Sequence, residues 1–134
     1  RGSMSNFAVV CASGSLRRSL DGEPVTHFRH RWTEGGVDVL ATFTGAHLLH
    51  LAVAACILND MHREADGRGV PLDGVRVEAD GEFGEDWSST GISYRIEVDS
   101  AADPAGIAEL IAIVDHLAEI PRAVRAGISV TRVQ

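Results

Sequence analysis

The segment Thr44–Gly69 constrains the fold of this chain more than any other. Between Leu48 and Leu58 only His50 is strongly polar, so a helix here is apolar on nearly every side and must be buried on most faces. It is too short to span a bilayer. Because one sheet cannot cover such a helix, we expect a homodimer that shares the helices of both chains.

Alternating apolar and polar residues predict β-strands on both sides of this helix. An amphipathic helix is expected to begin at Pro104 and to end at Pro121. The predicted strands cover residues 7–12, 25–32, 37–43, 75–80, 92–99 and 127–131. The resulting order, β-β-β-α-β-β-α-β, predicts an α+β fold.

Composition excludes several classes of protein. The formal net charge is −7, and the twelve basic residues are all arginine. A net acidic surface argues against nucleic-acid binding, because phosphate neutralisation needs clustered cations. We see no signal peptide or membrane span and expect a cytoplasmic protein that does not bind membranes. Residues 1–3, Arg-Gly-Ser, resemble an expression-tag scar, which leaves residues 4–134 as a single domain.

Cys56 is the most distinctive reactive group of the central helix. Its apolar neighbours and Asp60, one turn away, both disfavour a thiolate. An inert packing cysteine is therefore one interpretation, since free cysteines are often buried. A nucleophilic role would need a cation from elsewhere in the chain, and Arg17 and Arg18 are the candidates.

His47 and His50 stand at positions i and i+3, a spacing that can share a metal ion. A metal site needs three or four ligands, and no third ligand lies nearby in sequence. Cys56 is predicted to lie on another face of the helix. We therefore expect no metal and no cofactor, and interpret these residues as helix-start or dimer-interface histidines.

The stretch from Leu48 to Phe83 resembles the OsmC/Ohr family of organic hydroperoxide reductases. In that family an apolar central helix ends in a small-small-Cys sequence, and the pattern L-x-G-V-x-V-x-x-x-G follows, as in 72–81 here. Residues 116–130 resemble the family's H-x-x-C-P … G-N-I-x-V. The resemblance implies an intertwined homodimer with its two active sites at the subunit interface.

The resemblance also implies roles for particular residues. Cys56 falls on the position of the peroxidatic cysteine, which becomes a sulfenic acid when it attacks a peroxide. An arginine of the loop after the first strand, Arg17 or Arg18, would stabilise its thiolate. The position of the resolving cysteine is occupied by Ile120, and that of a glutamate near the helix start by Ala46.

Three functions remain open at this point. A one-cysteine thiol peroxidase would act on an organic hydroperoxide in oxidative-stress defence, and an external thiol, or Cys11, would resolve Cys56. A catalytically degenerate dimer would instead bind a small apolar ligand at the subunit interface. The dimer could also be purely structural. His47 or His50 could replace the missing glutamate. A hot-dog-type thioesterase is a more distant alternative, against which the second amphipathic helix argues.

Overall fold

An antiparallel sheet of five strands forms the centre of the protein. The computed structural model describes residues 6–134, so the predicted tag remnant at residues 1–3 lies outside the described residues. The sheet order is β2-β3-β1-β4-β5, in which the strands are β1 (Val9–Gly14), β2 (Thr26–Phe28), β3 (Val37–Leu40), β4 (Gly74–Phe83) and β5 (Ser89–Asp99). The helices are α1 (Gly45–Arg68), α2 (Pro104–Leu117) and α3 (Glu119–Ala126), and a 3₁₀ helix (Ser15–Leu20) follows β1. The α+β class predicted from the sequence is confirmed.

Helix α1 begins and ends where the sequence predicts. The Thr44 side chain accepts a hydrogen bond from the backbone N–H of His47 at 3.0 Å, which satisfies one free donor of the first turn. Gly69 ends the helix in the left-handed conformation, with φ of 68°, which glycine adopts without a steric penalty. In the part of the chain that the structure describes, no helix is long and apolar enough to cross a membrane.

The two faces of the sheet have different coverings. Cys11 of β1 and Val77 of β4 pair with each other and pack against α1 in the main apolar core. Ala12, the next residue of β1, points to the opposite face, where it packs with Leu20 of the 3₁₀ helix. Successive side chains of a strand alternate between faces, so the sheet separates α1 from the 3₁₀ helix.

One side of α1 is left uncovered within a single chain. Leu48, Ala52 and Ala55 are exposed there, whereas Ile57 and Met61 on the other side are fully buried. Full burial of a large aliphatic side chain stabilises a fold by about 1.5–3 kcal/mol. The apolar residues on the open side of α1 do not contribute this stabilisation in a single chain. The sheet, α2 and α3 therefore cover α1 only in part.

The C-terminal region differs from the sequence-based prediction. The amphipathic helix ends at Leu117, Ala118 is extended, and Pro121 lies in the first turn of α3 instead of closing α2. Proline is tolerated there because the first turn of a helix has N–H groups without helical partners.

The predicted final strand at residues 127–131 is wrong for the described chain, where residues 127–134 form no strand. A strand needs a partner edge, and this segment pairs with neither edge strand of the sheet, β2 or β5. Ile128 and Val130 are consequently 64% and 94% exposed. Their alternating apolar pattern indicates a strand, but the chain itself supplies no neighbour for it.

Candidate active site

The Cys56 sulfur lies where α1 meets the start of α3. Its thiol donates to Glu119 Oε1 at 3.5 Å and to Asp60 Oδ2 at 3.8 Å. The backbone N–H of Ile120, in the first turn of α3, donates to the sulfur in turn. The first turn of a helix carries a partial positive charge, so the sulfur receives one contact that favours a thiolate and two that oppose it.

Arg63 connects the two carboxylates that contact Cys56. Its guanidinium lies 3.2 Å from Asp60 Oδ2 and 3.7 Å from Glu119 Oε1. Positions 56, 60 and 63 share one face of α1, because residues i, i+4 and i+7 of a helix lie in line. Cysteine, arginine and two carboxylates are thus assembled from two helices alone.

These surroundings keep the thiol protonated at rest. Burial raises the pKa of Cys56 to about 11, helped by the charges of Asp60 and Glu119 and opposed by the Ile120 N–H. Burial also raises the pKa of Asp60. A thiol with a pKa of about 11 is ionised to roughly one part in 10⁴ at neutral pH. The resting site is therefore a thiol site, and its nucleophilic form must be generated.

Asp60 is held in place by a chain of polar side chains. It is fully buried, and one oxygen accepts a hydrogen bond from Asn59 Nδ2 at 3.1 Å. The Asn59 carbonyl oxygen lies 3.1 Å from His30 Nε2, while His30 Nδ1 contacts Thr33. Because Asn59 donates to Asp60, its oxygen is free to accept from His30. These contacts fix the carboxylate that faces Arg63.

Cys11, the other cysteine, has no comparable setting. It lies in the middle of β1 and is fully buried. Burial raises the pKa of its thiol to about 12, and both cysteines are free thiols. Cys11 lines the inner wall of an apolar cavity beside α1, whereas Cys56 lies beside the first turn of α3. A resolving role for Cys11 stays a prediction.

The structure does not bring Arg17 to Cys56 within one chain. Arg17 Nε donates to Asp38 Oδ2 at 3.0 Å, and His27 contacts the other oxygen. Asp38 is paired with Ala12, which points away from α1. Arg18 is exposed on the same 3₁₀ helix. The sheet thus lies between these arginines and α1, so an arginine of this loop could serve Cys56 only from a second subunit.

Ile120 and Ala46, which occupy the positions of the family's resolving cysteine and glutamate, lie in different helices. Ile120 contacts the Cys56 sulfur through its backbone N–H. Ala46 lies in the first turn of α1, and its carbonyl accepts a hydrogen bond from His50 Nδ1 at 2.6 Å. His47 Nδ1 contacts the Thr44 hydroxyl, also at 2.6 Å. His47 and His50 are therefore engaged near the start of α1, nine and six residues before Cys56.

Cys56, Asp60 and Glu119 also have side chains of metal-ligand type. Their ligand atoms all lie within 4.8 Å of one another, and within residues 6–134 neither His47 nor His50 belongs to such a group. The Arg63 guanidinium already faces two of the three groups. Since it supplies the positive charge that a cation would bring, we interpret the cluster as an ion-pair network.

Two cavities flank α1. One, of about 300 Å³, lies next to the site and is lined by Val53, one turn before Cys56, and by Pro121, which follows Ile120. The other, of about 400 Å³, lies on the open side of the helix and is lined mainly by aliphatic residues, including Leu51, Ala55 and Leu58. The first therefore lies beside neighbours of Cys56 on both α1 and α3.

Sequence reasoning missed two residues of this site. Arg63 follows Cys56 by seven residues, a helical spacing that could have been noticed. Glu119 lies 63 residues further along the chain than Cys56, and no local pattern signals that contact. The expectation that burial and Asp60 disfavour the Cys56 thiolate is confirmed.

Comparison with known proteins agrees with this fold. The family model described as OsmC-like protein matches residues 38–132, and the chain belongs to this family. It is similar to an OsmC-like protein from Mycoplasma pneumoniae, with 13% identity, a TM-score of 0.56, and coverage of 78% of this chain and 89% of that one.

A second similar structure is an OsmC-like hydroperoxide resistance protein from Jannaschia sp.. It has 10% identity and a TM-score of 0.50, with coverage of 92% of this chain and 89% of that one. At these identities the likeness concerns the fold alone. Comparison with curated protein sequences finds no match.

The settings of the two cysteines predict different alkylation behaviour. In the folded protein iodoacetamide should label Cys56 and leave Cys11 unlabelled until the chain is denatured, because Cys11 has no exposed surface. Since the pKa of Cys56 is raised to about 11, its labelling rate should rise about tenfold per pH unit from pH 7 upwards. Peptide mass spectrometry after timed quenching measures both rates. A rate that levels off below about pH 8 would contradict the description of the site.

Proposed function

We propose that this OsmC-like protein is a thiol-dependent organic hydroperoxide reductase that uses Cys56 alone. The observation that supports this function best is the setting of the Cys56 sulfur. It receives the Ile120 N–H from the first turn of α3 and lies beside carboxylates that hold Arg63. Thiol reactivity depends on neighbouring positive groups, and the Ile120 N–H and the Arg63 guanidinium are the positive groups of this site. The neighbouring cavity offers an apolar wall for the organic part of the substrate.

The proposed reaction has two stages. The Cys56 thiolate attacks one peroxide oxygen, the O–O bond breaks, and the leaving alkoxide takes a proton from solvent to give an alcohol. The resulting sulfenic acid reacts with a low-molecular-weight thiol to give a mixed disulfide and water. A second thiol then releases the Cys56 thiol and a small disulfide. An external thiol is needed because Ile120 cannot form a disulfide.

Peroxide consumption tests the proposed function directly. With cumene hydroperoxide and excess monothiol, the wild-type protein should consume peroxide, and Cys56→Ser should lose at least nine tenths of the rate. Cys11→Ser is the matched control, because it makes the same chemical change in the core. The ferric–xylenol orange assay follows the peroxide that remains. Equal rates of peroxide consumption by wild type and Cys56→Ser would contradict the proposal.

We further propose that the protein acts as a homodimer in the cytoplasm, with residues 4–134 forming one domain. OsmC-like proteins are generally dimeric. The open side of α1, formed by Leu48, Ala52 and Ala55, and the exposed alternating segment 127–131 both need a partner. A second subunit could also bring Arg17 or Arg18 towards Cys56. Free thiols at both cysteines suit a reducing compartment.

A charge on the open side of α1 should break the dimer. Ala55→Glu places a carboxylate in the proposed interface, where desolvation and repulsion between symmetry-related copies oppose association. Light scattering coupled to size exclusion should then report a monomer, while wild type is a dimer. Ala105→Glu, which is exposed in the first turn of α2, is the control and should remain dimeric. A dimeric Ala55→Glu would refute this interface.

The apolar cavity on the open side of α1 favours a second candidate function. Its volume of about 400 Å³ and its aliphatic lining suit a small apolar ligand, which a partner subunit would enclose at the interface. In that case the raised pKa of Cys56 would be of no consequence. Equal binding of a fluorescent apolar probe by wild type and Cys56→Ser, without peroxide consumption by either, would favour this function over the first.

A further inference from the structure

We propose that Arg63 is the positive charge that stabilises the Cys56 thiolate, and that Glu119 competes with this thiolate for Arg63. The inference rests on the proposed function of Cys56. It assigns to α1 itself the role that the family resemblance gives to an arginine of the loop after β1. Arg63 acts in the same chain, whereas Arg17 is bound to Asp38 across the sheet.

The geometry of the ion pairs carries this assignment. Asp60 is fully buried and holds the Arg63 guanidinium at 3.2 Å, the shorter of its contacts to the two carboxylates beside the sulfur. The same Asp60 oxygen lies 3.8 Å from the Cys56 sulfur. A single carboxylate, that of Asp60, therefore lies between Arg63 and the thiol. The hydrogen bond from Asn59 fixes the orientation of this carboxylate.

Glu119 is the movable member of the cluster. Its side chain is 59% exposed and starts α3, and its contact with Arg63 is the longer one at 3.7 Å. Its Oε1 atom accepts a hydrogen bond from the Cys56 thiol, with a sulfur–oxygen distance of 3.5 Å. When Glu119 turns to solvent, Arg63 loses a competing anion and the sulfur loses a neighbouring negative charge. Both changes favour the thiolate.

Four charged side chains surround the Cys56 site and are the candidates for substitution. Asp60 contacts the sulfur from α1 and Glu119 from α3, and Arg63 of α1 contacts both of these carboxylates. Glu64 of α1 contacts Arg63 Nε at 3.2 Å and completes the set of carboxylates around the guanidinium. Glu119 and Arg63 have opposite signs, so their removal should shift Cys56 reactivity in opposite directions. A purely structural role would not give this reversal.

Alkylation of Cys56 across pH tests the assignment without peroxide. Glu119→Gln keeps an oxygen acceptor and removes the charge, so iodoacetamide labelling near pH 7.5 should become about tenfold faster and its pH midpoint should fall. Arg63→Gln should make labelling about tenfold slower and raise the midpoint. Arg63→Lys, which restores a charge, should recover part of the rate. Glu85→Gln, an exposed change in the β4–β5 turn, should behave as wild type.

The outcomes separate this inference from the proposed function. Faster labelling in Glu119→Gln together with slower labelling in Arg63→Gln supports the assignment, even if no variant consumes peroxide. In that last case only the reductase function would fail. With circular dichroism showing the native fold, unchanged or faster labelling in Arg63→Gln overturns the assignment, and so does labelling in Arg63→Lys that is no faster than in Arg63→Gln. Labelling unchanged in Glu119→Gln overturns the competition.

Discussion

Burial of α1 against one face of the sheet is the interaction on which the rest of the structure depends. Cys11, Val77 and their neighbours supply the apolar surface of the sheet, and Ile57 and Met61 of α1 pack against it. This packing fixes the rotation of the helix about its axis. Cys56, Asp60 and Arg63 are thereby turned towards α3, while Ala52 and Ala55 are left on the open side. The chemistry and the proposed dimer interface follow from the same rotation.

The electrostatics of the site result from opposing effects of similar kind. Burial, Asp60 and Glu119 favour the thiol, whereas the Ile120 N–H favours the thiolate. At rest the first group prevails, and the pKa of Cys56 lies at about 11. Arg63 contacts both carboxylates that lie beside the sulfur. In the proposed reaction, the protein limits its own thiolate by ion pairing and can release it by moving one exposed side chain.

Much of the fold follows from local sequence signals. The bounds of α1 follow from its apolar pattern, the Thr44 cap and Gly69, all of which act within a few residues. The two long strands β4 and β5 follow from strict alternation. Residues 127–131 also alternate, but a strand exists only where a second strand pairs with it. That partner is a matter of tertiary or quaternary structure, which local pattern does not contain.

The site was likewise predictable only where its contacts are local in sequence. Cys56 and the unfavourable effect of Asp60 follow from helical spacing, as Arg63 could have done. The contact of Glu119 with Cys56 depends on how α3 docks against α1, over a separation of 63 residues. The family resemblance directed attention to Arg17 and Arg18, but it could not show that the sheet lies between these residues and α1.

The central claim is that peroxide chemistry takes place at Cys56 and nowhere else in the chain. Trapping of sulfenic acid by dimedone, after one equivalent of cumene hydroperoxide is added to the reduced protein, tests it most directly. Peptide mass spectrometry should find the adduct on Cys56 of the wild-type protein and none on Cys11. An unmodified Cys56, or an adduct confined to Cys11, would contradict the account.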